Sequence, residues 1–290
     1  MISFRYHVVT LVAVFLALGV GVLFGVSFID QSTVETLRNA QTRLGTRNQQ
    51  LRDRIVALEN ESESLKAYVS SSRDAVVRGA LEGRSVVIVG FESTPASTVE
   101  AVVGTIELAG GRVDGSLTLS DRLDLRTDDG RRRLAAVLES PSLEARGLAE
   151  LAVAQLTAAL AAGDAAFLRQ LIGTGLATGT PPSGEPASLG RAVVVAGGRG
   201  SRELNERIAL PLVRSLASSP VVTAVVEAGS TSLQMLTSLR QDSGLRVVTV
   251  DGIDTPLGQA ALATGLRAGF GGQFGSYGFG PGATTALPAG

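Results

Sequence analysis

Residues 85–91 read SVVIVGF and residues 191–196 read RAVVVA. Both are nearly continuous β-branched runs, which is typical of strands whose two faces are covered by helices. Three further runs read as strands, at 112–119, 221–227 and 245–250, and segments of helical pattern separate them, at 97–109, 201–218, 232–242 and 256–268. This alternation predicts an α/β fold with a mostly parallel five-stranded sheet and flanking helices.

We assign this α/β domain to residues 83–268. A helical insertion is predicted near 129–172, and a flexible linker rich in Thr, Gly, Pro and Ser at 173–190. Residues 269–290 form a glycine-rich tail without a charged side chain. Its composition predicts a mobile segment whose aromatic side chains dock on the domain or on a partner.

A long uncharged run, Val8–Ile29, lies near the amino terminus. A helix of that length reaches about 33 Å, enough to cross a hydrocarbon layer of roughly 30 Å. We therefore predict that residues 1–30 form a short cytoplasmic tip and a transmembrane helix. The alternative is a cleaved signal peptide ending near Gly25-Val26-Ser27, but the run exceeds the usual length of a signal core, which favours an uncleaved anchor.

The charges that flank this run predict its orientation. Arg5 and His7 precede it, whereas Asp30 and Glu35 follow it. By the positive-inside rule the amino terminus is cytoplasmic and the remainder of the chain extracytoplasmic.

Small residues recur every four positions along the predicted span and so share one helix face. Such a face lets two helix backbones approach closely. The alternative is that Gly and Ala are simply common in this chain. The residues concerned are Ala13, Ala17, Gly21 and Gly25.

A leucine heptad repeat follows at residues 31–82 and predicts a parallel two-stranded coiled-coil stalk. With the leucines at d, Asn48 and Ile55 occupy a positions, and Arg54 and Glu61 at g lie opposite Glu59 and Lys66 at e of a second copy. The alternative is a lone amphipathic helix packed on its own domain. The d residues are Leu37, Leu44, Leu51, Leu58 and Leu65.

The composition excludes several classes of chemistry. The chain has 26 basic and 27 acidic residues, no cysteine, one histidine and two methionines. Balanced charge argues against nucleic-acid binding, and the missing cysteines exclude disulfides, thiolate catalysis and zinc fingers. No histidine or lysine lies in the α/β domain, so a catalytic triad cannot be assembled there. We expect a binding module rather than an enzyme, without a bound cofactor.

Acidic residues at or just past the predicted strand ends are the weak candidates for a metal site. Capping of a turn or helix is the interpretation we favour over a shared site. The candidates are Glu92, Asp121, Glu227, Asp251 and Asp254. The Gly197–Gly200 loop after the third predicted strand could hold an anion, but its spacing matches neither common phosphate-binding motif.

The chain as a whole resembles the mycobacterial copper-transport protein B (MctB) family of actinobacterial envelope proteins. The amino-terminal MISFRYHVVTLVAVFLALGVGVLFG carries the resemblance, together with the leucine repeat, the α/β domain and the tail. The matching tail residues are Tyr277, Gly278, Gly280, Gly282, Ala283, Leu287 and Pro288.

The resemblance implies a membrane-anchored envelope protein in copper transport or homeostasis, with outer-membrane association and channels that limit copper accumulation. It also implies cell-envelope and division functions with a neighbouring membrane protein. The residues themselves offer no lining for a channel and few copper ligands, because copper favours Cys, Met and His. They favour a dimeric scaffold that presents α/β heads to an envelope or cell-division partner. A carboxylate-based hydrolase or a nucleotide-binding head is a third hypothesis.

Overall fold

The computed structural model of the chain describes residues 4–27, 31–142, 144–183, 189–198, 204–229, 234–242 and 244–288. It divides into two units, Met1–Leu65 and Lys66–Gly290.

The first unit is helical. Helix α1 spans Phe4–Ser27, and helix α2 begins at Gln31 and continues to Val77, beyond the boundary between the units. One stretch of α1, Tyr6–Gly25, is long and apolar enough to cross a membrane, with a mean hydropathy of 2.7. A membrane-spanning helix must present apolar side chains to lipid, and the described side chains of α1 are exposed as that requires.

The heptad leucines form an exposed stripe on α2. Each of the five d-position leucines between Leu37 and Leu65 is 55–69% exposed. The paired, supercoiled arrangement predicted for residues 31–82 is not shown by this single chain and stays a prediction.

The second unit contains the sheet and the helices that cover it. Its strands are β1 (Ser85–Phe91), β2 (Arg112–Leu119), β3 (Ala177–Thr180), β4 (Arg191–Ala196), β5 (Val222–Glu227), β6 (Val248–Asp251) and β7 (Ser276–Tyr277). Its helices are α3 (Ala96–Leu108), α4 (Asp128–Val137), α5 (Ala145–Ala162), α6 (Ala165–Gly173), α7 (Leu210–Ala217), α8 (Gln234–Arg240) and α9 (Pro256–Phe270). A 3₁₀ turn occupies Asp121–Leu123, and a π-helical turn, Asn205–Ala209, precedes α7 and its Pro211.

The strand order is β3-β2-β1-β4-β5-β6-β7. Only the β2–β3 pair is antiparallel; every other neighbouring pair is parallel. The chain leaves β1 towards β2 on one side, whereas it leaves β4 towards β5 on the other. This reversal makes the carboxyl ends of β1 and β4 the topological switch point of a doubly wound sheet.

The sheet separates two hydrophobic cores because successive side chains of a strand point to opposite faces. Val87 and Val89 pack on one face with residues of α4–α8. Val86 and Ile88 pack on the other face with residues of α3 and α9. Apolar positions on both faces explain why β1 and β4 lack the polar alternation of a half-exposed strand.

The mixed α/β class and the mostly parallel sheet are confirmed, but the predicted number of five strands is wrong: the described residues form seven. The two additional strands are β3, which reads ATGT, and the two-residue β7. Both lie at the edges of the sheet. Neither carries a β-branched apolar run, so backbone pairing with β2 and β6, not local sequence, makes them strands.

Candidate functional site

The predicted carboxylates do lie along the rim formed by the carboxyl ends of the parallel strands, but they bond to different partners and do not form a single cluster. Glu92 follows β1, while Glu227 and Asp251 are the last residues of β5 and β6. Glu227 and Asp251 are register partners on adjacent strands. The structure therefore brings these two carboxylates side by side.

Glu92 is committed to the turn that follows β2. Its carboxylate accepts hydrogen bonds from the Ser120 hydroxyl and from the backbone N–H of Asp121, both at 2.9 Å. The backbone bond, followed by the hydroxyl, lowers the pKa of Glu92. Asp121 opens the 3₁₀ turn and is exposed. This end of the rim thus shows the geometry of turn stabilisation.

Glu227 is the most deeply buried acid on the rim, with 1% of its surface exposed. Its two oxygens accept weak hydrogen bonds from the backbone N–H groups of Met235 and Leu236, at 3.4 and 3.3 Å. Burial raises the pKa of Glu227, against the opposing effect of these two bonds. Gly197 lies so close that a Cβ there would stand 2.7 Å from the Glu227 side chain.

Asp251 forms a buried ion pair with Arg240 of α8, at 2.8 Å. The same carboxylate accepts backbone hydrogen bonds from Phe279 at 2.8 Å and from Gly280 at 3.0 Å. Arg240 in turn donates to the carbonyl oxygens of Tyr277 and Pro281. This pair therefore fixes the described part of the glycine-rich tail to the domain.

Asp254 accepts a hydrogen bond from the backbone N–H of Gly229 at 2.8 Å. Four of the five candidate carboxylates therefore have hydrogen-bond partners in a loop or a helix: Glu92, Glu227, Asp251 and Asp254. Within the ranges that the structure describes, no group of three or more His, Cys, Asp or Glu side chains is arranged to hold a metal ion. The metal site at these residues remains a sequence-based candidate.

The glycine loop lies at the topological switch point. A Cβ on Gly198 would stand 2.7 Å from the Ser93 carbonyl oxygen and from the Thr94 Cα, so the backbones approach as closely as glycine allows. Thr94 links the two loops further by donating to the Ala196 carbonyl oxygen at 2.9 Å. Gly200, with the start of the helix predicted at Ser201, lies outside the described residues.

The predicted oligomerisation residues lie on the two amino-terminal helices. Among the described residues, and apart from the helix's own backbone, no atom lies within 4 Å of a Cβ built on Gly21 or Gly25 of α1. Ala13 and Ala17 are exposed on the same helix, as are Asn48 and Ile55 on α2 with the heptad leucines. These side chains are free to contact a second copy.

A buried ion pair between Arg191 and Asp114 went unnoticed in the sequence. Each side chain is only 2% exposed, and they meet at 2.9 Å. Burial opposes ionisation of Asp114, but hydrogen bonds from Ser183 and Arg191, with the charges of Arg191 and Arg112, lower its pKa overall. Charged residues inside predicted buried strands were the signal, but the 77-residue separation hid the pairing.

The described residues thus combine a doubly wound α/β domain with a helix that is long and apolar enough to cross a membrane, which defines the class of a candidate membrane-anchored protein. Residues 1–288 match the family model described as "Copper transport outer membrane protein, MctB". The chain belongs to this family.

Mycobacterial relatives agree with the assignment. The chain is 31% identical to the protein named Copper transporter MctB of Mycobacterium tuberculosis H37Rv over 145 residues, which cover 50% of this chain and 46% of that protein. The matched segment thus spans about half the length of that relative. A protein of the same name from Mycobacterium leprae is 25% identical over 316 residues, with 98% of each chain covered.

Proposed function

We propose that the chain is a membrane-anchored envelope protein with a role in copper transport or homeostasis. The observation that carries the proposal is the family match over residues 1–288. The names of the mycobacterial relatives support it, as does the apolar helix Tyr6–Gly25. The role is non-enzymatic in this proposal, since the α/β domain contains no histidine, cysteine or lysine from which to build a nucleophilic site.

Copper movement in the native host tests this role directly. Cells that lack the protein should differ from complemented cells in the rate at which they take up or release radiolabelled copper. Labelled zinc is the matched control, because a general envelope defect changes the flux of both metals. Equal copper flux in the two strains, with the protein shown to be present after complementation, would overturn the proposal.

The proposed topology places the α/β domain outside the cytoplasm. The chain has no cysteine, so a Ser97→Cys variant carries a single thiol at an exposed position of α3. An impermeant thiol reagent should label it in intact cells, whereas a thiol placed at residue 3 should be labelled only after lysis. The reverse pattern would show that the domain is cytoplasmic.

A second candidate function is a dimeric scaffold that presents two α/β heads to an envelope or cell-division partner. The exposed leucine stripe of α2 favours it, because leucines spaced by sevens form the seam of a two-stranded coil. Asn48 at an a position supports a parallel pair in fixed register. The exposed small-residue face of α1 would let the two membrane helices approach as well.

Cysteine crosslinking in membranes tests the dimer. In a parallel coil Leu58 faces its counterpart at a d position, whereas Asn60 at f points away. Leu58→Cys should therefore give a disulfide-linked dimer under mild oxidation, and the matched Asn60→Cys variant should not. Equal yields from the two variants would indicate random collision, and no crosslink at Leu58 would contradict the parallel seam.

A further inference from the structure

A cavity of about 320 Å³ lies at the amino ends of β4 and β5, whereas the carboxylate rim lies at the carboxyl ends of the parallel strands. Its walls include Phe270 at the end of α9 and Phe274 in the loop that follows. Gly190 and Pro220 contribute the backbone before each of the two strands. The cavity is large enough for a small organic ligand.

Two arginines lie over the aromatic side chains of this cavity: Arg246 is itself a lining residue, and Arg84 lies beside the cavity over the ring of Phe270. The Arg84 Cζ lies 4.0 Å from the centroid of the Phe270 ring, and the Arg246 Cζ lies 5.1 Å from the centroid of the Phe274 ring. Arg84 also lies against Gly190, where a Cβ would stand 3.3 Å from Nη1. A stacked guanidinium keeps its N–H donors in the plane of the group, where they can bind an oxyanion in two-pronged fashion.

The charge around the cavity is positive. Arg246 and Arg191 line it, and none of its described lining residues is acidic. Arg191 has one carboxylate partner, Asp114, and its buried Nε and Nη1 donate to no group in the described part of the chain. Neither Arg84 nor Arg246 has an ion-pair partner among the residues that the structure describes, so no described carboxylate pairs with either cation.

We propose that this cavity binds a small organic oxyanion, a phosphate or carboxylate group carried on a compact apolar body. Arg84 and Arg246 would bind the charged oxygens, and the phenyl rings of Phe270 and Phe274 would contact the body. The favourable steps are pairing of two uncompensated cations and burial of apolar ligand surface. This site is independent of the copper role and of the dimer.

Titration of the full chain in neutral detergent tests the site, with phenyl phosphate as the probe and ligand-observed NMR as the readout. Saturable binding is expected, and benzyl alcohol, a neutral molecule of similar body, should bind at least about tenfold more weakly. Benzoate in a parallel titration distinguishes a preference for carboxylate from one for phosphate. Absence of saturable binding of both anions at about 10 mM, roughly −2.7 kcal/mol, would overturn the proposal.

Substitutions locate the binding. Arg84→Gln and Arg246→Gln should each weaken phenyl phosphate by about tenfold, since each removes a charge-assisted contact. Arg246→Lys keeps the charge and should lose less, whereas the control Arg133→Gln removes an exposed cation on α4 and should bind normally. Circular dichroism confirms that each variant is folded. Equal affinity in the wild type and both glutamine variants would place the anion elsewhere and contradict the proposal.

Discussion

Glu227 makes the stability of the domain depend on pH in a predictable direction. Burial raises its pKa above the ordinary value of 4.5, so the folded chain retains a proton that the unfolded chain has lost. The favourable contribution of this group is complete below pH 4.5 and is lost as pH rises through the folded pKa. Glu227→Gln removes this loss while keeping an oxygen for the N–H groups of Met235 and Leu236.

We therefore expect the Glu227→Gln variant to gain stability relative to the wild type as pH rises from 4 to 7. One proton limits the slope of this difference to about 1.4 kcal/mol per pH unit. Chemical denaturation of both proteins across this range measures it, with Glu100→Gln at an exposed position of α3 as the control. A difference that is flat, or that shrinks with rising pH, would contradict the assignment.

Gly163 is the residue on which the packing of Arg191 depends. It ends α5 in the left-handed conformation, with φ at +75°, and a Cβ there would overlap the Arg191 guanidinium. Gly163→Ala should lower the free energy of unfolding by about 2 to 4 kcal/mol, because backbone strain adds to overpacking beside a buried cation. At Gly173 no described atom outside the helix's own backbone lies within 4 Å of a built Cβ, so Gly173→Ala should change the free energy of unfolding by less than about 1 kcal/mol.

Thermal or urea unfolding of the two alanine variants separates the loss of stability caused by overlap with Arg191 from a loss that any Gly→Ala substitution would cause. Equal stability in both would mean that Gly163 does not limit the position of Arg191.

The ion pair between Arg240 of α8 and Asp251 of β6 holds the tail, because both side chains hydrogen-bond to its backbone. Asp251→Asn should leave Arg240 buried without a counter-charge and cost about 3 to 5 kcal/mol. Hydrogen exchange should accelerate at the amides of Phe279 and Gly280, which donate to Asp251. Asp254→Asn is the matched control, since its single bond to Gly229 survives in the amide. Similar exchange in both variants would show that the pair does not hold the tail.

Charge pairing between two copies of α2 tests whether they form a parallel coiled coil. Arg54→Glu would place two acids at a g–e′ contact with Glu59 and weaken the dimer by roughly 1 kcal/mol over its two symmetric contacts. Adding Glu59→Arg should restore the affinity measured by sedimentation of the full chain in detergent. An antiparallel pair aligns g with g′, so failure of the double variant to recover would contradict a parallel register.

The elements that could be predicted from the sequence are those with their own hydrophobic pattern. β1 and β4 are recognisable because apolar β-branched side chains fill both faces. The Thr and Gly residues of β3 do not predict a strand by themselves, because β3 forms by pairing with the edge of β2. In the same way β7 forms by pairing with β6. The local hydrophobic pattern therefore predicts the central strands of the sheet but not its edge strands, β3 and β7.

The candidate site residues were also only partly predictable from local sequence. Parallel strands place Glu227 and Asp251 on one rim, and this follows from the sequence alone. That Arg240 reaches Asp251, or Arg191 reaches Asp114, depends on tertiary packing between residues far apart in the chain. The positions of the acids on the rim could therefore be predicted from the sequence, whereas their ion-pair partners are visible only in the structure.

At the scale of the whole molecule, the described residues form an apolar helix, an exposed heptad helix and an α/β domain, and the chain belongs to the MctB copper-transport family. The charged residues along the rim mostly bond within the chain, and within the described ranges they form no three-residue metal cluster. The copper role therefore rests on the family and must be tested in the cell.

Cell-associated copper is the measurement that tests the central claim most directly. Deletion and complemented strains grown at matched extracellular copper are compared by mass spectrometry, with zinc in the same samples as the control. If the protein limits copper accumulation, the deletion strain accumulates more copper, complementation reverses this, and zinc is unchanged. Identical copper content in the two strains, at every external concentration tested, would contradict a role in copper transport.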